Sequence, residues 1–230
     1  SSANSNAVGI YAVNGSEVVN NGSVNVSGEK SIGLLGIAYR TDTAGNIVVD
    51  EFGTGAAGQG KVNITNRGDV NLDGEGAIGI FAKNNKAGTT FTNAVALNDT
   101  AGVITTTGTK SVGMAGEGAT ITNNGTINVN GQIGTGMFGE ASSRMENSGT
   151  INIAASTSPT EPNIGMYTED QNTEIYNNKD IIGGDNTYGI YGKTIDMSAT
   201  GKVKVGDNSV GVYSNGQYAS SATPNVTLAS

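Results

Sequence analysis

The sequence contains no cysteine, no histidine and no tryptophan, and only three of its 230 residues are proline. Without cysteine there is no disulfide framework and no thiolate metal ligand, and without histidine there is no imidazole ligand or imidazole base. These absences exclude Ser-His-Asp and Cys-His hydrolases and zinc sites built from Cys and His. We therefore expect no cofactor, no metal and no catalytic residue.

Charge is also scarce, and its balance is acidic. Lys and Arg number 12 against 20 Asp and Glu, a net charge of −8, and no basic run is present. A nucleic-acid ligand and an anionic membrane surface are therefore not expected as partners. No stretch approaches the roughly 20 apolar residues of a transmembrane helix. The first residues lack both Met and a signal-peptide profile, so we expect a piece of a longer chain.

Glycine, by contrast, is abundant, with 36 residues, and it marks an internal repeat. One copy reads KSVGMAG at 110–116, ATITNNG at 119–125 and TINV at 126–129; we call these segments a, b and c. Segment a recurs around Gly9, Gly33, Gly79, Gly113, Gly136, Gly165, Gly189 and Gly211. Segment c recurs after Gly22, Gly68, Gly102, Gly125, Gly149, Lys179 and Gly201. The base period is about 23 residues, interrupted by insertions.

Each segment is short and alternates apolar with polar residues, which is the periodicity of a β-strand. In segment c, for example, Ile127 and Val129 are expected in the core and Asn128 outside. Three short strands per period, separated by Gly and Asn turns, predict an all-β right-handed parallel β-helix of about eight to nine coils. We expect residues 1–230 to form one domain.

An asparagine recurs two residues before the glycine that precedes segment c. Asn tolerates left-handed turn conformations, and stacked side-chain amides can hydrogen-bond along a rod. We therefore predict a structural ladder, with Thr100 and Ala199 as exceptions. Its members are Asn20, Asn66, Asn123, Asn147 and Asn177.

Half of the twelve aromatic residues stand at one position, two residues after the segment-a glycine. They are Tyr11, Phe81, Phe138, Tyr167, Tyr191 and Tyr213. A regular strand would turn the aliphatic residues on both sides of the glycine inward, and the glycine and the ring outward. The result would be an external row of rings able to bind a sugar or a protein. The alternative is that the strand bends and the rings stack inside.

Three stretches exceed the period and are predicted to be loop insertions, at 37–60, 83–100 and 155–162. The first is interpreted as a hairpin turning at 42–46, or else as a ninth coil with a degenerate segment a at 55–57. Insertions in solenoids are often binding loops. Tyr39, Arg40 and Asp42 are therefore candidate ligand-binding residues alongside the rings.

The repeats at 111–114 and 121–129, with the copies at 147–153 and 209–213, resemble the passenger repeats of Gram-negative (type V) autotransporters. The wording of segment a, with SVGVY and YGIYG, is most similar to the very large fusobacterial outer-membrane adhesins. The resemblance implies export, display of the rod at the cell surface by a C-terminal β-barrel outside this sequence, and adhesion to host cells or other bacteria.

The expected function is thus that of an adhesin segment and not of an enzyme. Its expected partner is a protein or glycan on a host-cell or bacterial surface. Two alternatives remain at this point. One is a carbohydrate-active β-helical enzyme, and the other is a structural spacer whose binding parts lie elsewhere in the protein.

Overall fold

The computed structural model describes residues 6–48, 58–84, 93–214, 218–220 and 225–228. The regular elements in these ranges are β-strands, and three parallel sheets of eight strands each contain nearly all of them. The chain passes through sheet a, sheet b and sheet c in turn, and one such circuit is one coil. The protein is a right-handed parallel β-helix, as predicted, with eight coils.

The sheets correspond to segments a, b and c, and each sheet has one strand in each of coils 1 to 8. Sheet a contains Val8–Val13, Ile32–Ala38, Ile78–Asn84, Val112–Glu117, Thr135–Glu140, Asn163–Tyr167, Thr187–Gly192 and Val210–Ser214. Sheet b contains Ser16–Asn20, Val62–Asn66, Ala94–Asn98, Thr120–Asn123, Arg144–Asn147, Glu174–Asn177, Thr194–Met197 and Tyr218–Ser220. Sheet c contains Ser23–Val26, Asp69–Leu72, Val103–Thr106, Thr126–Val129, Thr150–Ile153, Asp180–Gly183, Lys202–Val205 and Asn225–Leu228. The last strand was not predicted from the sequence, in which Pro224 stands where most copies of segment c have the preceding glycine.

Sheet c follows the predicted alternation. Ile127 and Val129 have no exposed surface, and Asn128 lies between them on the outer face. Outer asparagines of neighbouring coils are bonded, since Asn152 Nδ2 donates to Asn128 Oδ1 at 2.9 Å. The inward residues of sheet c meet Leu, Ile and Met side chains of the other two sheets in one continuous core.

Sheet a does not follow the regular alternation, and the predicted facing is wrong at two positions. Gly113 and the next residue, Met114, are both buried, whereas Val112 before the glycine is half-exposed. The same pattern holds in coils 2 to 7. The glycine therefore faces inward and the residue before it faces outward, while the residue after it is buried as predicted.

The reason lies across the rod, where the first inward side chain of sheet c fills the available space. A Cβ built on Gly113 would lie 2.8 Å from Ile127 Cγ2, and one built on Gly136 would lie 2.8 Å from Ile151 Cγ2. Real Cβ atoms do not approach other heavy atoms that closely. The inward position before Met114 or Met137 therefore has room only for glycine, so that of the two successive inward residues only the second carries a side chain.

This facing predicts the effect of adding one methyl group. Gly136→Ala is expected to lower the free energy of unfolding by about 1–3 kcal/mol, because overpacked cores must shift to accommodate added atoms. Its Cβ would also lie 2.6 Å from the Gly165 carbonyl oxygen. The control is Gly22→Ala, whose Cβ meets only Asn20 Oδ1 at 4.0 Å. Urea unfolding measures the stability of both variants. Equal stabilities would show that the segment-a glycines do not face the core.

Within coil 2, between its sheet-a and sheet-b strands, the chain leaves the helix to form a small antiparallel sheet. Arg40–Thr41 pairs with both Ile47–Val48 and Gly58–Gln59, and none of the three joins the parallel sheets. The described part of 37–60 is therefore a hairpin and supplies no ninth coil. The alternative segment at 55–57 lies outside the described residues.

Of the other two predicted insertions, the one at 83–100 is shorter than its stated limits. In 83–100, Lys83 and Asn84 still belong to sheet a and Ala94–Asn98 is a regular strand of sheet b, while 85–92 lie outside the described residues. The segment 155–162 connects sheet c of coil 5 to sheet a of coil 6. There the buried hydroxyl of Ser156 donates to the Glu161 carbonyl oxygen at 2.7 Å.

A column of asparagines runs inside sheet b from coil 1 to coil 6. Each Nδ2 donates to Oδ1 of the next residue in the column at 2.8–2.9 Å. The structure places the five predicted asparagines in this column, but it corrects coil 3, where the member is Asn98 and not Thr100. In coil 7 the equivalent residue is Met197, which ends the column. The members are Asn20, Asn66, Asn98, Asn123, Asn147 and Asn177.

Candidate functional site

The outer face of sheet a is largely apolar, which is unusual for a surface that faces water. Two rows of outward side chains run along it. The first row holds the residues before the segment-a glycines, and the second holds the residues two positions after them. The first row is Val8, Ile32, Ile78, Val112, Thr135, Ile164, Tyr188 and Val210, and the second is Tyr11, Leu35, Phe81, Ala115, Phe138, Tyr167, Tyr191 and Tyr213.

The six predicted rings all lie on this outer face. Tyr11 and Tyr213 are 53% and 44% exposed, and the other four rings are partly exposed between fully buried neighbours. The rings do not stack inside the rod, so the alternative arrangement is wrong for this protein.

Four of the rings form a continuous stack over coils 5 to 8, which we call the aromatic column: Phe138, Tyr167, Tyr191 and Tyr213. Successive centroids are 5.8, 5.3 and 4.9 Å apart, with interplanar angles of 28°, 55° and 18°. Tyr188 widens the column in coil 7, because its ring lies 6.3 Å from that of Tyr191 at an angle of 9°. Offset stacks of this kind are favourable and present both apolar faces and hydroxyl groups.

The remaining two rings are separate from the column. Phe81 and Phe138 both pair with Ala115 of coil 4, whose small, buried side chain interrupts the row. Leu35 separates Tyr11 from Phe81 in the same way. The predicted stripe of six is thus a stack of four and two single rings.

The candidate residues Tyr39, Arg40 and Asp42 lie at the base of the hairpin and in its turn. The Tyr39 hydroxyl lies 3.0 Å from the Tyr11 hydroxyl, and burial together with this bond raises the pKa of Tyr11 to about 12. Asp42 organises the turn, since Oδ1 accepts bonds from the backbone N–H of Ala44 and Asn46. The side-chain amide of Asn46 also bonds Asp42, and these bonds lower the pKa of its carboxyl. The side chain of Arg40 lies outside the described residues.

A third row of outward residues, four positions after the glycine, runs beside the aromatic column and is charged. It contains, in coils 3 to 7, Lys83, Glu117, Glu140, Glu169 and Lys193. We call its three acidic members the carboxylate row. The signal was present in the sequence, because all five residues keep the same spacing from a segment-a glycine, but the sequence reasoning did not use it.

The aromatic column and the carboxylate row enclose a cleft of about 240 Å³ on coils 5 and 6. Its walls are Phe138, Gly139, Glu140, Tyr167, Glu169 and Asp170. The Tyr167 hydroxyl donates to Glu169 Oε1 at 2.7 Å. Asp170 accepts bonds from the Ser142 backbone N–H and the Thr173 hydroxyl, so its carboxylate is held by the coil itself. The cleft therefore joins two rings to two hydrogen-bonded carboxylates, Glu169 and Asp170, and to the carboxylate of Glu140.

Glu140 is the least compensated of these carboxylates. Desolvation by burial and the charge of Glu117 raise its pKa, the charge of Lys83 opposes that rise, and the charge of Asp170 adds to it. Lys83 itself bonds Glu117 at 2.9 Å. Although burial alone would raise the pKa of Asp170, its hydrogen bonds outweigh burial and lower it. Burial and the bond to Glu169 raise the pKa of Tyr167, which remains a neutral hydroxyl donor.

Sheet b shows how this fold holds a cation on a ring. The Arg144 guanidinium carbon lies 4.0 Å from the centroid of the Tyr176 ring. Two carboxylates flank the guanidinium, Glu146 at 3.6 Å and Glu174 at 3.9 Å. The Tyr176 hydroxyl donates to Glu174 Oε2 at 3.0 Å. Ring, hydroxyl and carboxylates thus surround one positive charge.

A larger cleft, about 410 Å³, lies on the sheet-c side of coils 1 to 3. The exposed polar side chains in its lining are amides, hydroxyls and one carboxylate, and it contains no ring. Exposed polar groups of this kind are ordinary for a solvated surface. We therefore regard the aromatic face of sheet a as the better candidate.

Neither a metal site nor a membrane-spanning helix occurs in the described ranges. No group of three or more Asp and Glu side chains there is arranged to hold a metal ion. In the same ranges, no helix is long and apolar enough to cross a membrane.

Comparison with known proteins identifies a family. The model of the BigA third pectate lyase-like domain, a bacterial surface adhesin-like or autotransporter-like domain, matches residues 1–180. The match covers coils 1 to 5 and the sheet-a and sheet-b strands of coil 6, including the cleft on coils 5 and 6. Neither a curated protein nor a solved structure matches the chain.

Proposed function

Since the chain belongs to the family of BigA third pectate lyase-like domains, we propose that it is a rod-forming adhesin segment of an exported cell-surface protein. The rod would bind a protein or glycan on a host cell or another bacterium through the outer face of sheet a. It would do so as a binding module, without turnover. The likeness of segment a to fusobacterial adhesins is compatible with this role and belongs to the proposal.

One observation carries the proposal, namely that four stacked rings occupy the outside of a rigid rod. Buried rings would contribute to stability, but these rings are partly exposed to water over coils 5 to 8. Exposed aromatic residues are typical of binding hot spots, because they bury a large area at a low entropy cost. The parallel sheets beneath them hold their spacing, so little ordering is needed on binding.

The family description also supports a second candidate, a carbohydrate-active enzyme, because it names a pectate lyase-like domain. Incubation of the purified chain with pectate and with bacterial and host polysaccharides tests this candidate. New reducing ends or unsaturated uronates would show turnover and contradict a purely adhesive role. Binding to the same polysaccharides without either product would support the adhesin.

The adhesive role predicts that removing rings weakens attachment. Beads coated with the Tyr191→Ala/Tyr213→Ala variant are expected to attach about tenfold more weakly to the bound cell type, because each ring contributes as a hot spot. Attachment is measured against panels of bacteria and host cells, with the unmodified chain as reference. Far-UV circular dichroism confirms that the rod remains folded.

The matched control lies on a different face of the same rod. Asn128→Ala/Asn152→Ala removes two outward side chains from sheet c, and attachment is expected to be unchanged. If the two double variants attach equally well, the aromatic face does not carry adhesion. If deletion of residues 40–51 also leaves attachment unchanged, the chain acts as a spacer.

A further inference from the structure

The carboxylate row and the aromatic column meet in the cleft on coils 5 and 6, where negative charge exceeds positive charge. Glu140 has no lysine or arginine within ion-pair distance among the described residues, whereas Glu117 has Lys83 at 2.9 Å. The raised pKa of Glu140 reflects the same imbalance. A group that brought positive charge into the cleft would relieve the repulsion between these carboxylates.

Sheet b of the same protein shows how a positively charged group can be held between a ring and carboxylates. There a guanidinium lies over a tyrosine ring between two carboxylates, and the tyrosine hydroxyl bonds one of them. In the cleft, Tyr167 likewise bonds Glu169 through its hydroxyl, and Glu140 lies on the neighbouring coil. The cleft thus also combines a ring with two carboxylates, although in another register, since Tyr167 pairs with Phe138 whereas Tyr176 pairs with Glu146. Its cation would come from a partner.

We propose that this cleft binds an arginine side chain from a basic segment of a partner protein. The guanidinium would stack on the ring of Tyr167 or Phe138 and donate hydrogen bonds to Glu140 and Glu169. Arginine fits better than lysine because its planar group both stacks on rings and bonds two carboxylate oxygens at once. The inference rests on the proposed adhesive role of the sheet-a face and names the chemistry of its partner.

Charge favours this occupant over two others. A neutral sugar would stack on the rings but would leave the carboxylates uncompensated. A second copy of the chain would bring another acidic molecule, of net charge −8, against the same carboxylates. A basic protein segment gains both ring contact and charge neutralisation, and its binding should weaken as salt screens the charges.

The test uses an end-blocked peptide of alternating arginine and glycine, with glutamine in place of arginine as the neutral probe. Calorimetry at low ionic strength measures binding to the unmodified chain and to Glu140→Gln and Tyr167→Leu. Each variant is expected to bind the arginine peptide about tenfold more weakly, since one removes a charged acceptor and the other a ring. Glu17→Gln, on sheet b of coil 1, changes the net charge equally and is expected to bind as the unmodified chain does.

The outcomes separate this inference from the adhesive role. If Glu140→Gln and Glu17→Gln bind the arginine peptide with equal affinity, the peptide is attracted unspecifically to an acidic protein. That result would contradict an arginine-binding site in the cleft. Binding of the glutamine peptide to the unmodified chain as tightly as the arginine peptide would also contradict this site. If cells attach through the rings while the arginine peptide does not bind, the adhesin stands and this inference fails. If the peptide binds as expected but no cells attach, the arginine-binding site is supported and the adhesive role is contradicted.

Discussion

Replacing Ile127 with aspartate is expected to lower the free energy of unfolding by about 4 kcal/mol or more. Ile127 has no exposed surface and lies in coil 4, with complete coils on both sides. A carboxylate there would face Gly113 and the apolar side chains of the rod, where no cation can pair with it. Urea unfolding followed by circular dichroism measures the loss.

The adjacent residue provides the control. Asn128 lies on the outer face of the same strand and bonds only other outward side chains. Asn128→Asp adds the same charge one residue away, and its cost is expected to stay within about 0.5 kcal/mol, which is usual for surface substitutions. Comparable losses for the two variants would contradict the inward position of Ile127 and the alternation of sheet c.

Sheet c was predictable because its alternation depends only on the pleat of a regular strand. Ile127, Asn128 and Val129 occupy the faces that strict alternation assigns to them. The eightfold repetition of a short pattern also predicts stacked coils, since a lone coil has no second layer against which to bury its apolar face. Fold class and coil repeat therefore followed from local periodicity.

Sheet a was predicted only in part, because its facing depends on space across the rod. Alternation cannot tell that Ile151 occupies the volume into which a side chain at position 136 would extend. Position 136 therefore admits only glycine, and Gly136 and Met137 both face inward while the preceding residue faces outward. The ring two positions after the glycine still faces out, which is one of the two arrangements that the sequence left open, although the reasoning for its neighbours was wrong.

The charged row beside the rings could have been read from the sequence, but its meaning could not. A fixed spacing places Glu117, Glu140 and Glu169 on one face. Only the structure shows that Lys83 bonds Glu117 and that Asp170 is held by hydrogen bonds of its own coil. Whether a carboxylate of this row has an ion-pair partner, as Glu117 does and Glu140 does not among the described residues, is a matter of distances, which no spacing specifies.

Asn98→Ala is expected to lower the free energy of unfolding by about 3 kcal/mol. Asn98 has no exposed surface, accepts a bond from Asn66 Nδ2 and donates to Asn123 Oδ1, each at 2.8 Å. Alanine would leave the Asn123 oxygen without its donor in a site that water does not reach. It would also divide the column into two shorter chains of amides, which no longer polarise one another. Thermal and urea unfolding measure the effect.

Thr100→Ala is the decisive control, because the spacing from Gly102 assigns the ladder position to residue 100. The turn of coil 3 is two residues longer than the turns of coils 4 and 5, so the structure moves that position back to Asn98 and leaves Thr100 exposed. Its replacement is expected to cost no more than about 0.5 kcal/mol. The opposite ranking would restore the register read from the sequence. A larger loss of stability for Asn98→Ala than for Thr100→Ala would show that stacking of buried amides determines which residue of each coil joins the asparagine column. The distance from a turn glycine would then not determine it.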